Sequence, residues 1–140
     1  MPTDQDLRDS RTLYAKLGIN KKWSGERNIF DNCDFRQISR DRLNQPIASI
    51  EVKMINRESG KVNLIYLSKY ENVTITQELF EAAGAKLAPK FFFISSHLAD
   101  VKLQDICKGI GFEMIIDRAV LVRNRLPVDG IHLSFVRRFK

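Results

Sequence analysis

The stretch PIASIEVKMINRESGK, residues 46–61, decides how the chain is read, because it sets two opposite charges inside an apolar run of strand length. Side chains of a strand alternate between its faces, so Ile50, Val52 and Met54 share one face, and Glu51 and Lys53 share the other. A carboxylate and an ammonium side by side on a sheet have two readings. Either they are a solvated pair on an edge strand, or they meet a ligand that needs both charges.

Working outward, IFDNCDFRQI (29–38) and PIASIEVKMI (46–55) are two strand candidates separated by the charged SRDRLNQ, which predicts a hairpin. NRESGK carries turn residues, and VNLIYL is a further short apolar run. Ahead of the hairpin, TDQDLRDSRTLYAKLGI predicts a helix with Leu7, Tyr14 and Leu17 on one face. Thr3 and Asp6 form a weak capping box there, and Gly18 is its stop. NKKWSGERN then reads as a polar, basic loop.

NVTITQELFEAAGAKLAPK (72–90) predicts a second helix. Thr74 and Gln77 make a capping box, Ile75, Leu79, Ala83 and Leu87 recur every four positions, and Pro89 marks the exit. KFFFIS predicts a central strand covered on both faces. Leu103, Ile106, Cys107 and Ile110 have helical spacing with Gly111 behind them, and GFEMII returns as a strand. In the last stretch, RNRLPVDGIHLSFVRRFK, residues Ile131, Leu133 and Phe135 alternate as in an edge strand.

This order predicts an α/β protein with a mixed central sheet flanked by helices, antiparallel in its first half and parallel, with helical crossovers, in its second. A length of 140 residues suits one domain, 1–140, with a real core, and no repeat, low-complexity tract or linker marks a second. No apolar run approaches the roughly 20 residues that span a bilayer, and MPTDQDLRDS lacks an apolar signal core. The expectation is a cytoplasmic protein. Cys33 and Cys107 are too few for a disulfide framework and lack zinc-ligand spacing. The net charge of +6 and a pI near 9.5 favour a polyanion as partner, or describe solvated basic faces.

Asp34, in CDFRQI, gives the charged pair a possible third member. On neighbouring strands Asp34 and Glu51 can converge at one end of the sheet, where two carboxylates repel unless a divalent cation sits between them. Mg2+, or Mn2+, suits such oxygen ligands and retains waters that can attack. Val52 could add its backbone carbonyl to the metal. Lys53 could position the attacking water or stabilise charge on a phosphate.

Asp34 together with IEVK, Ile50 to Lys53, resembles the PD-(D/E)XK nuclease superfamily, in which an Asp near a strand start is followed by apolar-(Asp/Glu)-x-Lys on the next strand. The opening helix, hairpin, crossover and FFFIS strand come in that family's order, while Cys33 stands where a Pro usually precedes the Asp. Residues 51–85, with E-x-K, IYLSKYEN and a helix ending near Gly84 and Ala85, are similar to the small, basic Holliday-junction resolvases. The resemblance implies a restriction-endonuclease-like fold and a metal-dependent endonuclease acting on nucleic acid, DNA before RNA, as a homodimer that cuts branched DNA. Its catalytic residues would be Asp34, Glu51 and Lys53, with Asp34, Glu51 and Val52 on the metal. Two alternatives stay open: an inactive basic nucleic-acid-binding module, or an RNase of the same fold.

Further candidates carry a bland reading beside the functional one. Lys69 follows a strand and either touches a phosphate or is a solvated loop lysine. Lys22 and Arg27 flank Trp23, which either stacks on a base or staples the first helix. Gln77 is explained by its capping role. His97 and His132 lack metal-ligand spacing and read as structural.

Overall fold

The computed structural model describes residues 4–17, 33–66, 73–97, 101–115, 117–126 and 132–139. In chain order these form α1 (Asp4–Leu17), β1 (Phe35–Arg40), β2 (Pro46–Met54), β3 (Ser59–Tyr66), α2 (Val73–Leu87), β4 (Phe91–His97), α3 (Val101–Gly109), β5 (Glu113–Ile115), α4 (Arg118–Arg123) and β6 (His132–Arg138). The strands make one sheet in the order β1-β2-β3-β4-β6-β5.

The expected hairpin forms. β1 and β2 pair antiparallel with Phe35 opposite Val52 and Arg36 opposite Glu51, and β2 continues antiparallel into β3. Both turns are fixed by short polar side chains that capture backbone N–H groups. The Asp41 carboxylate accepts from Leu43 and Gln45, each at 2.9 Å, with Asn44 in the left-handed region at φ 64. Asn56 Oδ1 accepts from Glu58 and Ser59 at 2.8 and 2.9 Å.

The helices end by recognisable chemistry. At the exit of α2, Ala88 adopts a left-handed φ of 47 and its N–H reaches Gly84 O at 2.8 Å, ahead of Pro89. Gly111, at φ 100, closes α3 with Phe112 N–H on Cys107 O (2.9 Å) and Gly111 N–H on Lys108 O (3.2 Å), a Schellman pattern. Thr74 does not stand at the helix start as the expected capping box requires, because α2 already begins at Val73 and Thr74 lies inside its first turn.

Helices cover both faces of the sheet. Ala48, Ile50, Val52, Val62, Phe92, Ile94 and Phe135 point to one face, where Leu79, Phe80 and Ala83 of α2 and Leu103 and Cys107 of α3 close the main core. Phe93 and Val136 point to the other face, against Leu121 of α4 and Leu126. KFFFIS is therefore the central, doubly covered strand that its continuous apolar run predicts. α1 lies on β1, β2 and β3. An ion pair from Arg40 to Asp9 ties α1 to β1, with Asp9 also accepting from Gln5 at 3.0 Å.

The end of the chain departs from expectation in two ways. HLSFVRR is not an edge strand: β6 inserts between β4 and β5, antiparallel to both, and Phe135 is completely buried. β4 and β5 are thus not the adjacent parallel pair that helix–strand alternation implied. The intervening α4, capped by Asp117 through the N–H groups of Ala119 and Val120, has six residues and gives too short a periodic pattern to stand out.

Candidate functional site

The three residues proposed around a metal separate by burial. Glu51 is 0% exposed and its Oε2 accepts from Arg36 Nη2 at 2.7 Å and Nε at 3.2 Å, an ion pair between register partners sealed inside the sheet. Asp34 and Lys53 lie toward solvent, 4.0 Å apart, with side chains about two-fifths exposed. Asp34 is occupied in pinning strand ends: its carboxylate accepts from Met54 N–H at 2.7 Å, and its own N–H reaches Val52 O at 2.8 Å. That bond also engages the Val52 carbonyl expected on the metal. Asp34 and Lys53 do meet, but Glu51 faces a guanidinium. No group of three or more His, Cys, Asp or Glu side chains suited to a metal occurs among the described residues. Cys33, half-buried beside these groups, has its thiol pKa raised, chiefly by burial. Lys22, Arg27, Trp23 and Lys69 fall outside the described residues.

A different feature stands out where β3 meets β4. The two strands pair parallel over only four positions, Ser59 with Phe91 through Val62 with Ile94. Both strands then continue. β3 stays paired with β2 as far as Tyr66, and β4 stays paired with β6 as far as His97. Residues 63–66 and 95–97 therefore have no partner on each other's strand, and the sheet opens there as a wedge between two intact half-sheets. Half of the backbone groups along each inner edge are left without a ladder partner, which a buried sheet does not normally tolerate unless something else satisfies them.

The open end has further properties. α2 follows β3 and α3 follows β4, so both helices start toward the end at which the strands part, and neither carries an acidic residue in its first turn. Asn63, the register partner of Glu51, is the first β3 residue beyond the paired segment. A polar row Arg36, Glu51, Asn63 thus runs across β1, β2 and β3 to the root of the wedge. The chain's two histidines, His97 and His132, are register partners at the far end of β4 and β6. Sequence spacing could not signal that adjacency, because it is created by the insertion of β6.

No protein-family model and no curated protein matches the sequence. Solved structures do match in fold. A GNAT-family acetyltransferase from Staphylococcus aureus superposes with a TM-score of 0.78 at 12% identity, covering 99% of this chain and 96% of that one. An acetyltransferase from Streptococcus agalactiae gives 0.67 at 17% identity, over 99% and 94% of the two chains. The Campylobacter jejuni N-acetyltransferase PseH, solved with acetyl coenzyme A, gives 0.61 at 13%, over 99% and 94%. The chain therefore has the acyl-CoA N-acyltransferase (GNAT) fold.

This corrects the restriction-endonuclease-like fold and the PD-(D/E)XK resemblance. The helix, hairpin and crossover order on which that resemblance rested is present here in another fold. The Mg2+- or Mn2+-dependent endonuclease, with its metal cofactor, falls with the fold. So does DNA or RNA as partner, since the structural neighbours are acetyltransferases; the net charge of +6 that also favoured a polyanion then describes solvated basic faces. Among the described residues no helix is long and apolar enough to cross a membrane.

Proposed function

We propose that this chain is an acyl-CoA-dependent N-acyltransferase that holds its thioester donor in the wedge between β3 and β4 and passes the acyl group to an amine. The observation that carries the reading is the seam that pairs at Ser59–Val62 and stops. An extended ligand with amide groups, as the pantetheine arm of coenzyme A has, can serve as the missing strand and satisfy N–H and C=O groups of 63–66 and 95–97. The name of the PseH structure states that it holds acetyl coenzyme A.

The phosphates of such a donor would meet the start of α2, where the helix dipole favours anions and the first turn carries no acidic residue. Residues 67–76, LSKYENVTIT, contain no glycine, so a glycine-rich phosphate cradle is not encoded there. Lys69 would supply positive charge in its place. The amine must lose a proton before or during attack, and histidine is the side chain whose ordinary pKa is close to neutrality. We assign that role to the His97 and His132 pair. Glu51, neutralised by Arg36, serves as a rigid polar floor at the wedge root, and Asp34 and Lys53 stay outside the chemistry. In this reading residues 1–140 act as one catalytic domain in the cytoplasm, where acyl-CoA is made and used.

The test is calorimetric titration of the protein with acetyl-CoA, followed by an assay of free coenzyme A thiol over a panel of primary amines. Saturable binding that slows amide exchange along 63–66 and 95–97 supports the reading. A folded protein that binds no acyl-CoA at millimolar concentration ends it. His97→Gln or His132→Gln is expected to lower kcat and remove the acid limb of its pH profile while donor affinity is kept.

A further inference from the structure

At the other end of the same two strands lies a half-open cavity of about 340 Å³, near the lower bound of the ~300–1,000 Å³ usual for small-molecule sites. Phe91, Phe93, Ile115 and Val136 are among its walls, and Arg123 and Arg138 both line it. This is the paired end of the β3–β4 seam, remote in register from residues 63–66 and 95–97.

The polar groups around the cavity divide into used and unused. Ser59 Oγ donates to Asn124 Oδ1 at 3.2 Å, and Asn124 Nδ2 donates to Val120 O at 3.0 Å, closing α4. The Glu58 carboxylate, which also lines the cavity, is neutralised by Lys90 at 3.0 Å. Arg123 and Arg138 have no carboxylate within ion-pair distance among the described residues. Among the described residues the Arg138 guanidinium carbon lies 5.9 Å from the ring of Phe91. Two exposed guanidinium groups with no carboxylate partner among the described residues, at an aromatic and aliphatic cavity, suit a ligand with a compact apolar body and one anionic, planar head.

We propose that this cavity binds a small amphipathic carboxylate, an aryl or branched aliphatic acid, with its hydrocarbon against Phe91, Phe93 and Val136 and its carboxylate on Arg123 and Arg138. The ring–guanidinium contact already holds Arg138 over the cavity, so little ordering is needed on binding. The proposal is independent of acyl transfer, since no residue of the wedge takes part.

The experiment is a titration of the whole chain with phenylacetate, followed by amide NMR shifts and by calorimetry, with phenylacetamide and inorganic phosphate as controls. Phenylacetate should shift amides at the starts of β3 and β4 and along α4. Arg123→Gln and Arg138→Gln, both at exposed positions, should each weaken it about ten-fold or more, and phenylacetamide should be weaker by a similar factor. Val120→Phe, which places a ring in the cavity, should abolish binding. Equal affinity for phenylacetamide, insensitivity to both arginine variants, tighter binding of phosphate than of phenylacetate, or no shift at these amides would each overturn the proposal.

Discussion

The two ends of the β3–β4 seam are built from the same strands and do opposite things. At the end where the strands begin, Ser59–Val62 and Phe91–Ile94 are laddered together, with bulky side chains packed on both faces and the arginine-lined cavity beside one of them. Toward the other end each strand keeps its outer neighbour and loses its inner one. The closed end thus contributes stability through packing, and the open end leaves backbone polarity available. Side-chain packing dominates one end and unpaired backbone the other, so substitutions at the two ends should differ in kind.

The largest expected effect is at the closed end. Phe92, completely buried against Phe80 and edge-on to Phe139, has ring centroids 6.0 and 4.9 Å away. Phe92→Ala should cost about 3–5 kcal/mol by urea denaturation. A loss below about 1 kcal/mol would mean the closed end does not hold the sheet together.

Comparable in size, and a sharper test of the polar row leading to the open end, is Glu51→Ala. It strands the Arg36 guanidinium in the interior, a situation worth about 3–5 kcal/mol. The double variant Arg36→Met, Glu51→Leu should recover most of that loss, because it removes both desolvated charges. If the single variant is nearly neutral, the pair is not the sealed interior contact described above.

A smaller effect belongs to Gly60, again at the closed end. A Cβ there would meet Val52 Cγ1 at 2.8 Å and both Met54 Sδ and Phe92 Cδ1 at 3.1 Å. Gly60→Ala should cost about 1–3 kcal/mol through overpacking, read as a lowered urea midpoint with unchanged slope. The seam itself can be read by hydrogen exchange without mutation. β3 amides aimed at β2 should be protected along the strand, whereas those aimed at β4 should be protected only as far as Val62. Uniform protection of both sets through Tyr66 would erase the contrast between the ends.

The smallest effect is expected at Lys53. Its ion pair with Asp34 is 4.0 Å long and substantially exposed, so Lys53→Met should change stability by under about 1 kcal/mol. Glu51 and Lys53 are two residues apart on one face of one strand, yet the first should be worth several times the second.

That contrast marks where sequence reading stopped. The alternation of Ile50, Val52 and Met54 gives the faces, whereas the expected gathering of Asp34, Glu51 and Lys53 leaves only Asp34 and Lys53 near each other, 4.0 Å apart. What alternation cannot reveal is depth. A cross-strand arginine, Arg36, turns Glu51 from an available ligand into one half of an internal pair, and that partner depends on register. The hairpin, α2, the KFFFIS strand and α3 were legible because each has a strong local pattern, punctuated by turn residues or by Pro89 and Gly111. The alternation of Ile131, Leu133 and Phe135 marks β6 as a strand, but period two is the same for an edge and for a centre.

The sequence by itself determined most of the segments that become helices and strands, the six-residue α4 excepted, because those choices follow from side-chain periodicity and local backbone chemistry. Tertiary structure alone decided where β6 inserts, that the β3–β4 ladder stops after Val62 and Ile94, and that Glu51 is neutralised. These are pairings between residues distant in the chain. Each is selected by the packing of whole layers, and no local pattern records it.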